Sequence, residues 1–455
     1  MGPNAGTFAQ GSTLLHFARN GNFGPGGQEL MVVERGEGAY IFDTHGNRYV
    51  DGLSSLFCAQ IGYSFGEEMG AVAASQLQQL AFSTLWGTAH PPALELADKL
   101  AGLAPEGVNR VFFTSGGSEA VEAAWKLARM YHVANGEPQR LKAIARKNAY
   151  HGVTIGALSF TGVPAYKEQF GPPAIYTRHV ANTNAFRSEL QGEELTAQLL
   201  REIEDVILEE GPDTVGVIIA EPVQNAGGCL VPPPGYWQGL RQLADRYGIL
   251  LHADEVITGF GRLGEIFGVT RFDTTPDLIT VAKGLTSAYA PMGAVMVADK
   301  VAAPLYEDRR TLLHGITFGG HPLCAAIALK NLEIFEREGV LENVRAREDG
   351  LRARLEQLKE DLPIVGDVRG LGFFWAVELV KDEDGRFDAE ERERLLRGYM
   401  PAALLAAGLI ARADDRGDSV LQIAPPLIAD DDVLDEIVDK MRTVLVGAQQ
   451  ELALV

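Results

Sequence analysis

The stretch LITVAKGLTSAYAPMGAV, residues 278–295, contains two short apolar runs separated by a lysine and a turn-like segment. Lys283 directly follows the first run, so the sequence predicts this lysine at the end of a buried strand. Runs of the same kind recur between segments of helical periodicity, at residues 111–115, 215–220, 249–254 and 293–298. This alternation predicts an α/β fold with a mainly parallel sheet covered by helices.

The pattern changes along the chain and predicts a large and a small domain. Residues 38–52 contain two aromatic-rich runs around a turn, which predict a β-hairpin. After about residue 330 a charged helix precedes a predicted strand at 367–380, a buried helix at 400–411 and an amphipathic closing helix. The predicted division is an N-terminal segment that contributes to the small domain (1–64), a large domain (65–330) and a C-terminal α+β small domain (331–455).

Composition argues against several classes of protein. The 455 residues carry 40 basic and 61 acidic side chains, and the resulting net charge of −21 argues against nucleic-acid binding. The three cysteines form no CxxC pair and the nine histidines are scattered, so we predict neither a disulfide framework nor a metal site. The N-terminus lacks the pattern of a secretory signal, and residues 400–411 are too few to cross a bilayer. We therefore expect a cytoplasmic protein that does not bind membranes.

Two ionisable residues are predicted at the carboxyl edge of the sheet. Burial lowers the pKa of a lysine and makes its amine nucleophilic, although a lysine at a strand end can also extend into solvent. Asp254 ends the run 249–254, about one strand–crossover–strand unit before Lys283. A buried carboxylate needs a partner, and both a protonated pyridine nitrogen and an ordinary cap or salt bridge satisfy that need.

A third feature at the same edge is FFTSGGSEA, residues 112–120. A strand, a Ser-Gly-Gly-Ser turn and a helix form an anion site when the free N–H groups of the helix face a ligand. The alternative is a tight turn in which Ser118 caps the helix. Taken together, a lysine, a carboxylate and an anion site at one sheet edge fit pyridoxal 5′-phosphate, with Tyr150 and Val256 as flanking surfaces.

One motif points to a different class of enzyme. Residues 259–264, GFGRLG, match the GxGxxG pattern of dinucleotide-binding proteins. That pattern needs a strand directly before it and a helix opening within it, and the sequence shows neither. An NAD-dependent oxidoreductase is therefore the less favoured alternative.

The motifs resemble those of the class III pyridoxal-phosphate aminotransferases, which have the aspartate-aminotransferase-type fold (PLP fold type I). The resemblance covers nearly the whole chain. Its marks are TSGGSEA (114–120), YHG (150–152), AEPVQNAGG (220–228), DEVITGFGR (254–262), AKGLTSAYAPMGA (282–294), ITFGGHPLCAA (316–326) and VRGLGFFWAVEL (368–379).

The resemblance implies a role for each matching residue. Lys283 would bind the cofactor covalently and shuttle the proton, and Asp254 would pair with the pyridine nitrogen. Thr317 would reach the phosphate in the neighbouring subunit, which implies a homodimer or a higher homo-oligomer. The other residues implied around the cofactor are Gly116, where the family commonly has Ser, Gly117, Ser118, Tyr150, His151, Glu221 and Val256.

Departures from other branches indicate the ω-transaminase (amine:pyruvate) branch. Ornithine- and γ-aminobutyrate-type members have Gln where this chain has Ile257, and the ornithine type has Glu where it has Ala226. Arg412 matches a mobile arginine that binds the acceptor carboxylate, and Arg416 in the same loop is its rival. The implied substrate-binding residues are Phe57, Leu85, Trp86, Tyr150, Ala226 and Arg412, of which Phe57, Leu85 and Trp86 are equally compatible with ordinary core positions.

The resulting hypothesis is a ping-pong transaminase that moves an amino group from an apolar or aromatic primary amine to pyruvate, with a preference for S amines. Other class III activities stay open, namely β-alanine, polyamine and 7-keto-8-aminopelargonate transamination, a dialkylglycine decarboxylase and an aminomutase.

Overall fold

The computed structural model describes residues 12–23, 27, 29–307, 310–382 and 385–452. Residues 1–11 of the predicted N-terminal segment lie outside this range. The first strands are β1 (Val33–Glu37), β2 (Tyr40–Asp43) and β3 (Arg48–Asp51). They form an antiparallel meander, and Asp43 Oδ1 closes the β2–β3 turn by accepting the N–H groups of His45 and Asn47. The hairpin predicted at residues 38–52 is confirmed.

A seven-stranded sheet forms the centre of the fold. Its strands are β4 (Arg110–Thr114), β5 (Lys142–Arg146), β6 (Thr177–Val180), β7 (Val215–Ala220), β8 (Leu250–Asp254), β9 (Leu278–Val281) and β10 (Gly293–Val297), in the spatial order β4-β10-β9-β8-β7-β5-β6. The run at 293–298 does form a strand, but β10 is antiparallel to both β4 and β9. The expectation of a parallel strand there was wrong, since an apolar run carries no information on direction. The other neighbouring pairs are parallel.

Helices surround this sheet. Their bounds are α1 (Ser54–Phe57), α2 (Gly66–Gln79), α3 (Pro91–Leu103), α4 (Gly117–Ala134), α5 (Ile155–Phe160), α6 (Pro164–Glu168), α7 (Gly192–Glu210), α8 (Tyr236–Tyr247), α9 (Asp299–Glu307) and α10 (Pro322–Arg337). Helix α4 places an alanine-rich face on the sheet, and small side chains let a helix approach strands closely. This packing fixes the N-terminus of α4 at the carboxyl edge of the sheet.

The C-terminal part contains a second mixed layer. Its elements are α11 (Val340–Asp361), β11 (Val365–Leu371), β12 (Phe374–Leu379), α12 (Ala389–Arg392), a π-helix (Glu393–Tyr399), α13 (Met400–Ala406), β13 (Leu409–Ile410), β14 (Arg412–Asp414), β15 (Val420–Ile423) and α14 (Asp431–Glu451). An antiparallel sheet has the order β11-β12-β15-β14, while β13 pairs with β3 in parallel. Strands from the N-terminal and C-terminal parts of the chain therefore share one sheet. The predicted domain boundaries stay a prediction.

Two predicted elements in this part were wrong in detail. Residues 367–380 form part of a tight hairpin rather than one strand, because Gly372 adopts a φ of +57° and reverses the chain. The helix predicted at 400–411 ends at Ala406, since Gly408 has a φ of +70° and β13 follows. Only Met400 and Leu404 of α13 are buried. No helix within the described residues is both long and apolar enough to span a membrane.

Candidate functional site

Asp254 and Lys283 lie at the same edge of the central sheet, as the sequence predicted. Strands β8 and β9 are parallel neighbours, with Asp254 in register with Thr280. Lys283 follows the end of β9 at a φ of +37°, a backbone conformation that L residues rarely adopt and that is often found at functional sites. Both residues line a cavity of about 140 Å³. Burial lowers the pKa of Lys283, although the nearby Cys58, Asp254 and Glu221 oppose that effect.

The Asp254 carboxylate is buried within a hydrogen-bonded network. His151 Nδ1 lies 2.7 Å from Oδ2, while Oδ1 accepts hydrogen bonds from the Thr280 hydroxyl at 3.1 Å and the Val256 N–H at 3.2 Å. His252 Nε2 contacts the same Thr280 hydroxyl at 3.0 Å. Burial acts to raise the pKa of Asp254, but the hydrogen bond and charge of His151 outweigh it and hold that pKa below its ordinary value. The arrangement keeps an anion ready for a cationic ligand group.

The predicted anion site is a helix N-terminus beside this cavity. Helix α4 begins at Gly117, with Gly116 as its N-cap residue, and helix geometry leaves the first N–H groups without intrahelical acceptors. Gly117 and Ser118 both line the cavity. Ser118 is not the N-cap, and its Oγ accepts the Val153 N–H at 3.3 Å. The alternative of a plain Ser118 cap is therefore wrong.

Glu221 supports the site from beneath. Its Oε1 accepts the N–H of Tyr150 at 3.2 Å, and its Oε2 accepts the N–H of Asn225 at 2.9 Å. Burial raises the pKa of Glu221, while the charges of His151 and Arg146 oppose the increase. The carboxyl group thereby fixes the backbone of Tyr150, whose ring lines the cavity.

A second, larger cavity of about 480 Å³ shares Lys283 with the first. Phe57, Tyr150 and Arg412, all predicted for the substrate, line it. Its other lining residues are His16, Phe17, Leu53, Leu56, Tyr166, Asn225, Ile257, Leu396, Pro401, Leu404, Ala411, Ala413 and Arg416. Sequence reasoning missed Tyr166, Phe17 and Asn225. Of these, Asn225 had a detectable signal, because it lies within the AEPVQNAGG motif.

Asp414 separates the roles of the two candidate arginines. Arg416 binds both carboxylate oxygens of Asp414, with Nε at 2.8 and 2.9 Å and a further contact from Nη2. Burial acts to lower the pKa of Arg416, but Asp414 more than offsets it and raises that pKa. Arg412 Nε lies 3.7 Å from Asp414 and its side chain is 27% exposed, against 6% for Arg416. Arg412 is thus the arginine with more capacity to bind a carboxylate.

The structure leaves some predicted residues away from Lys283. Leu85 and Trp86 line a separate cavity of about 700 Å³ together with residues of the 312–319 loop, and Thr317 is an exposed residue of that loop. Ala226 is fully buried, and its neighbour Asn225 lines the larger cavity instead. The expectation that Ala226 lines the cavity was therefore wrong, since the turn after Asn225 directs Ala226 inward.

Among the described residues the structure supports neither a dinucleotide-binding site at residues 259–264 nor a metal site. Residues 259–264 form successive turns in which no helix begins, so the dinucleotide-binding geometry is missing. Arg262 within this motif is fully buried and donates to the carbonyl oxygens of Phe373 and Pro425 and to Ser54 Oγ. Among the described residues no group of three or more His, Cys, Asp or Glu could hold a metal ion.

Three comparisons relate this chain to known proteins. A sequence profile described as Aminotransferase class-III matches residues 24–445. The chain is 49% identical over 435 residues to a probable aminotransferase of Mycobacterium tuberculosis, covering 95% of this chain and 92% of the relative. It is 39% identical over 419 residues to a putrescine–pyruvate aminotransferase of Pseudomonas aeruginosa, covering 91% and 90%. A crystal structure of an (S)-enantioselective ω-transaminase from Thermomicrobium roseum has a TM-score of 0.88 at 40% identity, covering 92% of this chain and 93% of that one.

The two glycines at the start of α4 provide a matched test of the anion site. A Cβ on Gly117 would lie 3.0 Å from Val256 Cγ1, whereas a Cβ on Gly116 would meet no atom of the described residues within 4 Å. We expect Gly117→Ala to displace Val256 and weaken pyridoxal 5′-phosphate binding by about 3- to 10-fold, roughly 1 kcal/mol. Gly116→Ala should leave the affinity unchanged. Titration of the apoprotein by absorbance measures both, and equal affinities for the two variants would contradict this placement of the anion site.

Proposed function

Because the chain belongs to the class III aminotransferase family, we propose that it transfers the amino group of an apolar primary amine to pyruvate. The observation that carries this proposal is the shared position of Lys283, which lines both the small cavity with Asp254 and the larger cavity with Arg412. The chemistry and the recognition of a carboxylate can therefore occur side by side. The reaction would be ping-pong, since donor and acceptor use the same lysine in turn.

The residues present fit pyridoxal 5′-phosphate, the cofactor of this family. Asp254 would hold the pyridine nitrogen, the N-terminus of α4 with Gly117 and Ser118 would hold the phosphate, and Tyr150 and Val256 would flank the ring. The fit rests on a carboxylate kept ionised by His151, a lysine of lowered pKa, and a buried His151 Nε2 that has no hydrogen-bond partner among the described residues. When bound, the cofactor supplies a carbonyl group for the amine and an electron-accepting ring.

The protein's own side chains then move the proton. Nζ of Lys283, with its lowered pKa, takes the proton from the amine-bearing carbon of the donor and returns one in the acceptor half-reaction. The burial of Asp254 strengthens its interaction with a cation, because the effective dielectric constant is lower there than in water. Arg412 orients pyruvate through its carboxylate.

The lining of the larger cavity supports an apolar donor. Phe57, Leu53, Leu56, Ile257 and Leu404 provide hydrophobic surface. No carboxylate lines this cavity within the described residues, and two arginines do, so a second ammonium group of a diamine would lack a partner. The similarity to a putrescine–pyruvate aminotransferase favours a diamine as the second candidate donor. The (S)-enantioselective relative supports a preference for S amines.

A visible absorption spectrum tests the function. The purified protein should be yellow, an apolar amine alone should bleach the band, and pyruvate should restore it. Lys283→Ala should abolish turnover, whereas Lys167→Ala, which removes another lysine whose pKa burial lowers, to about 8, should retain it. Bleaching only by putrescine or β-alanine would overturn the donor assignment, and a colourless protein that cannot bind the cofactor would overturn the mechanism.

Arg412 should act on the acceptor and not on the donor. We expect Arg412→Ala to raise the KM for pyruvate at least about 10-fold, because a charge-assisted bidentate contact worth roughly 1.5–3 kcal/mol is lost. The KM for propanal, an acceptor without a carboxylate, should stay the same. Steady-state kinetics with one amine donor measures both, and parallel increases for the two acceptors would contradict the role.

We also propose a homodimer in the cytoplasm. Leu313 is 89% exposed and Trp86 is 64% exposed, and both line one cavity. Phe82 and Phe318, from the same two segments of the chain, are also exposed, and their rings lie 5.7 Å apart. An exposed apolar surface of this kind is typical of an interface. In a homodimer built on it, Leu85, Trp86 and Thr317 of one subunit would lie near the cofactor site of the other. The three free cysteines support a reducing compartment.

The apolar surface predicts the effect of a charge on assembly. Leu313→Asp should shift the protein toward monomer, because a carboxylate would be buried without a partner in the interface. Leu208→Asp, at a 54% exposed position on α7, is the matched control and should leave the mass unchanged. Light scattering during size exclusion reports the mass, and an unchanged mass for Leu313→Asp would place the interface elsewhere.

A further inference from the structure

We propose that Arg392 and Arg397 are positioning residues for the keto-acid acceptor, since they hold in place the edge strand that carries Arg412. The inference rests on the proposed function, in which Arg412 binds the acceptor carboxylate. It adds two residues outside the substrate cavity that act through the strand β14 and not by touching the substrate. The proposal depends on the weak pairing of that strand and on the contacts that compensate for it.

Strand β14 has little support of its own. It is three residues long and lies at the edge of its sheet. Among the described residues it pairs only with β15, through Arg412 with Gln422, Ala413 with Leu421 and Asp414 with Val420. A short edge strand of this kind is only marginally stable by its own pairing. The position of Arg412 therefore depends on whatever holds the free side and the tip of the β14–β15 hairpin.

Two arginines hold the tip of that hairpin. Arg392 Nη2 donates to the carbonyl oxygens of Asp415 and Gly417, both at 2.8 Å. Arg397 Nε and Nη2 donate to Asp415 Oδ2 at 2.8 and 2.6 Å. The backbone and the first side chain after Asp414 are thus bound from outside the sheet, in contacts to charged donors that are stronger than neutral hydrogen bonds.

The π-helix (Glu393–Tyr399) explains how both arginines reach the same hairpin. In an α-helix, residues five apart point about 140° away from each other, since each residue turns by roughly 100°. Hydrogen bonds of the i→i+5 type widen the turn and bring such residues toward one face. Arg392 immediately precedes the π-helix and Arg397 lies within it, so the wider turn accounts for their contact with the same hairpin.

The same helix contains a matched control residue. Arg394 Nη2 donates to the carbonyl oxygen of Glu451 at the end of α14, and its Nε lies 3.6 Å from the Glu451 carboxylate. Arg394 thus has the same side chain, the same helix and a comparable ion pair, but its partner is the C-terminal helix. Its removal should affect the helix without moving β14.

Asp414, two residues after Arg412 on β14, links the strand to the guanidinium group, since Arg412 Nε lies 3.7 Å from its carboxylate. Arg416 occupies both oxygens of Asp414, so Arg412 keeps a fork that is not fully paired. On the other side of the hairpin Arg386 binds Asp418 at 2.5 Å. Loss of Arg392 or Arg397 would free the residues between Asp414 and Asp418. Arg412 would then sample a wider range of orientations. A carboxylate is sensitive to that spread because bidentate binding needs a fixed fork.

The test compares acceptors with and without a carboxylate in the holoenzyme. We expect Arg397→Gln and Arg392→Gln each to raise the KM for pyruvate about 3- to 10-fold, the effect of losing an interaction of a few RT. The KM for propanal, the KM for the amine donor and kcat should be unchanged. Arg394→Gln should change none of these values. Equal increases for pyruvate and propanal, or no increase for either, would overturn the proposal.

Two further variants separate this proposal from the function on which it rests. Asp415→Asn should reproduce the effect of Arg397→Gln, and the double variant should be no worse than either single one, because both remove the same contact. Additive effects of the two substitutions on the KM for pyruvate would show that they do not act through one contact, and would overturn the proposal. Arg412→Ala is measured in the same assay. If Arg412→Ala raises the KM for pyruvate and propanal equally, the acceptor assignment itself fails. If Arg412→Ala affects pyruvate alone and the Arg392, Arg397 and Asp415 variants do not, only the positioning role fails.

Discussion

The candidate site depends on a buried carboxylate. Asp254 is only 4% exposed, and a buried anion persists only where hydrogen bonds and opposite charge replace the lost water. His151 and Thr280 provide these contacts. Thr280 is the register partner of Asp254 on β9, and His151 lies in the loop that follows β5. The same register places Lys283 beside the carboxylate, so one pair of parallel strands determines the position of the anion, its support and the nucleophilic amine.

The two cavities differ in how rigidly their lining residues are held. The small cavity lies at the ends of central strands, where backbone pairing fixes each side chain. The large cavity instead takes Arg412 from a three-residue edge strand and Phe17 from the N-terminal segment. Chemistry that tolerates little displacement thus lies on the central sheet. The proposed recognition of donor and acceptor would depend on elements with fewer contacts, where movement costs less free energy.

Local patterns were sufficient to predict the chemical centre but not the recognition of the substrate. Apolar runs and the residues that end them predicted the edge position of Lys283 and Asp254, because strand ends can be recognised locally. The choice between Arg412 and Arg416 depends on which of them Asp414 neutralises, and Tyr166 enters the cavity through tertiary packing alone. The direction of β10 could not be predicted from the sequence either, because an apolar run has the same pattern in a parallel and in an antiparallel strand.

The buried Arg262 shows why the motif that matched GxGxxG has a structural role. Within the part of the chain that the structure describes, its guanidinium group donates only to uncharged oxygens, and burial lowers its pKa to about 9. One of those oxygens is Ser54 Oγ, and Ser54, Ser55 and Phe57 all adopt positive φ angles of 49° to 63°. Such conformations persist only where surrounding contacts over-determine them. The contacts of Arg262 therefore hold a strained turn that places Phe57 in the wall of the larger cavity.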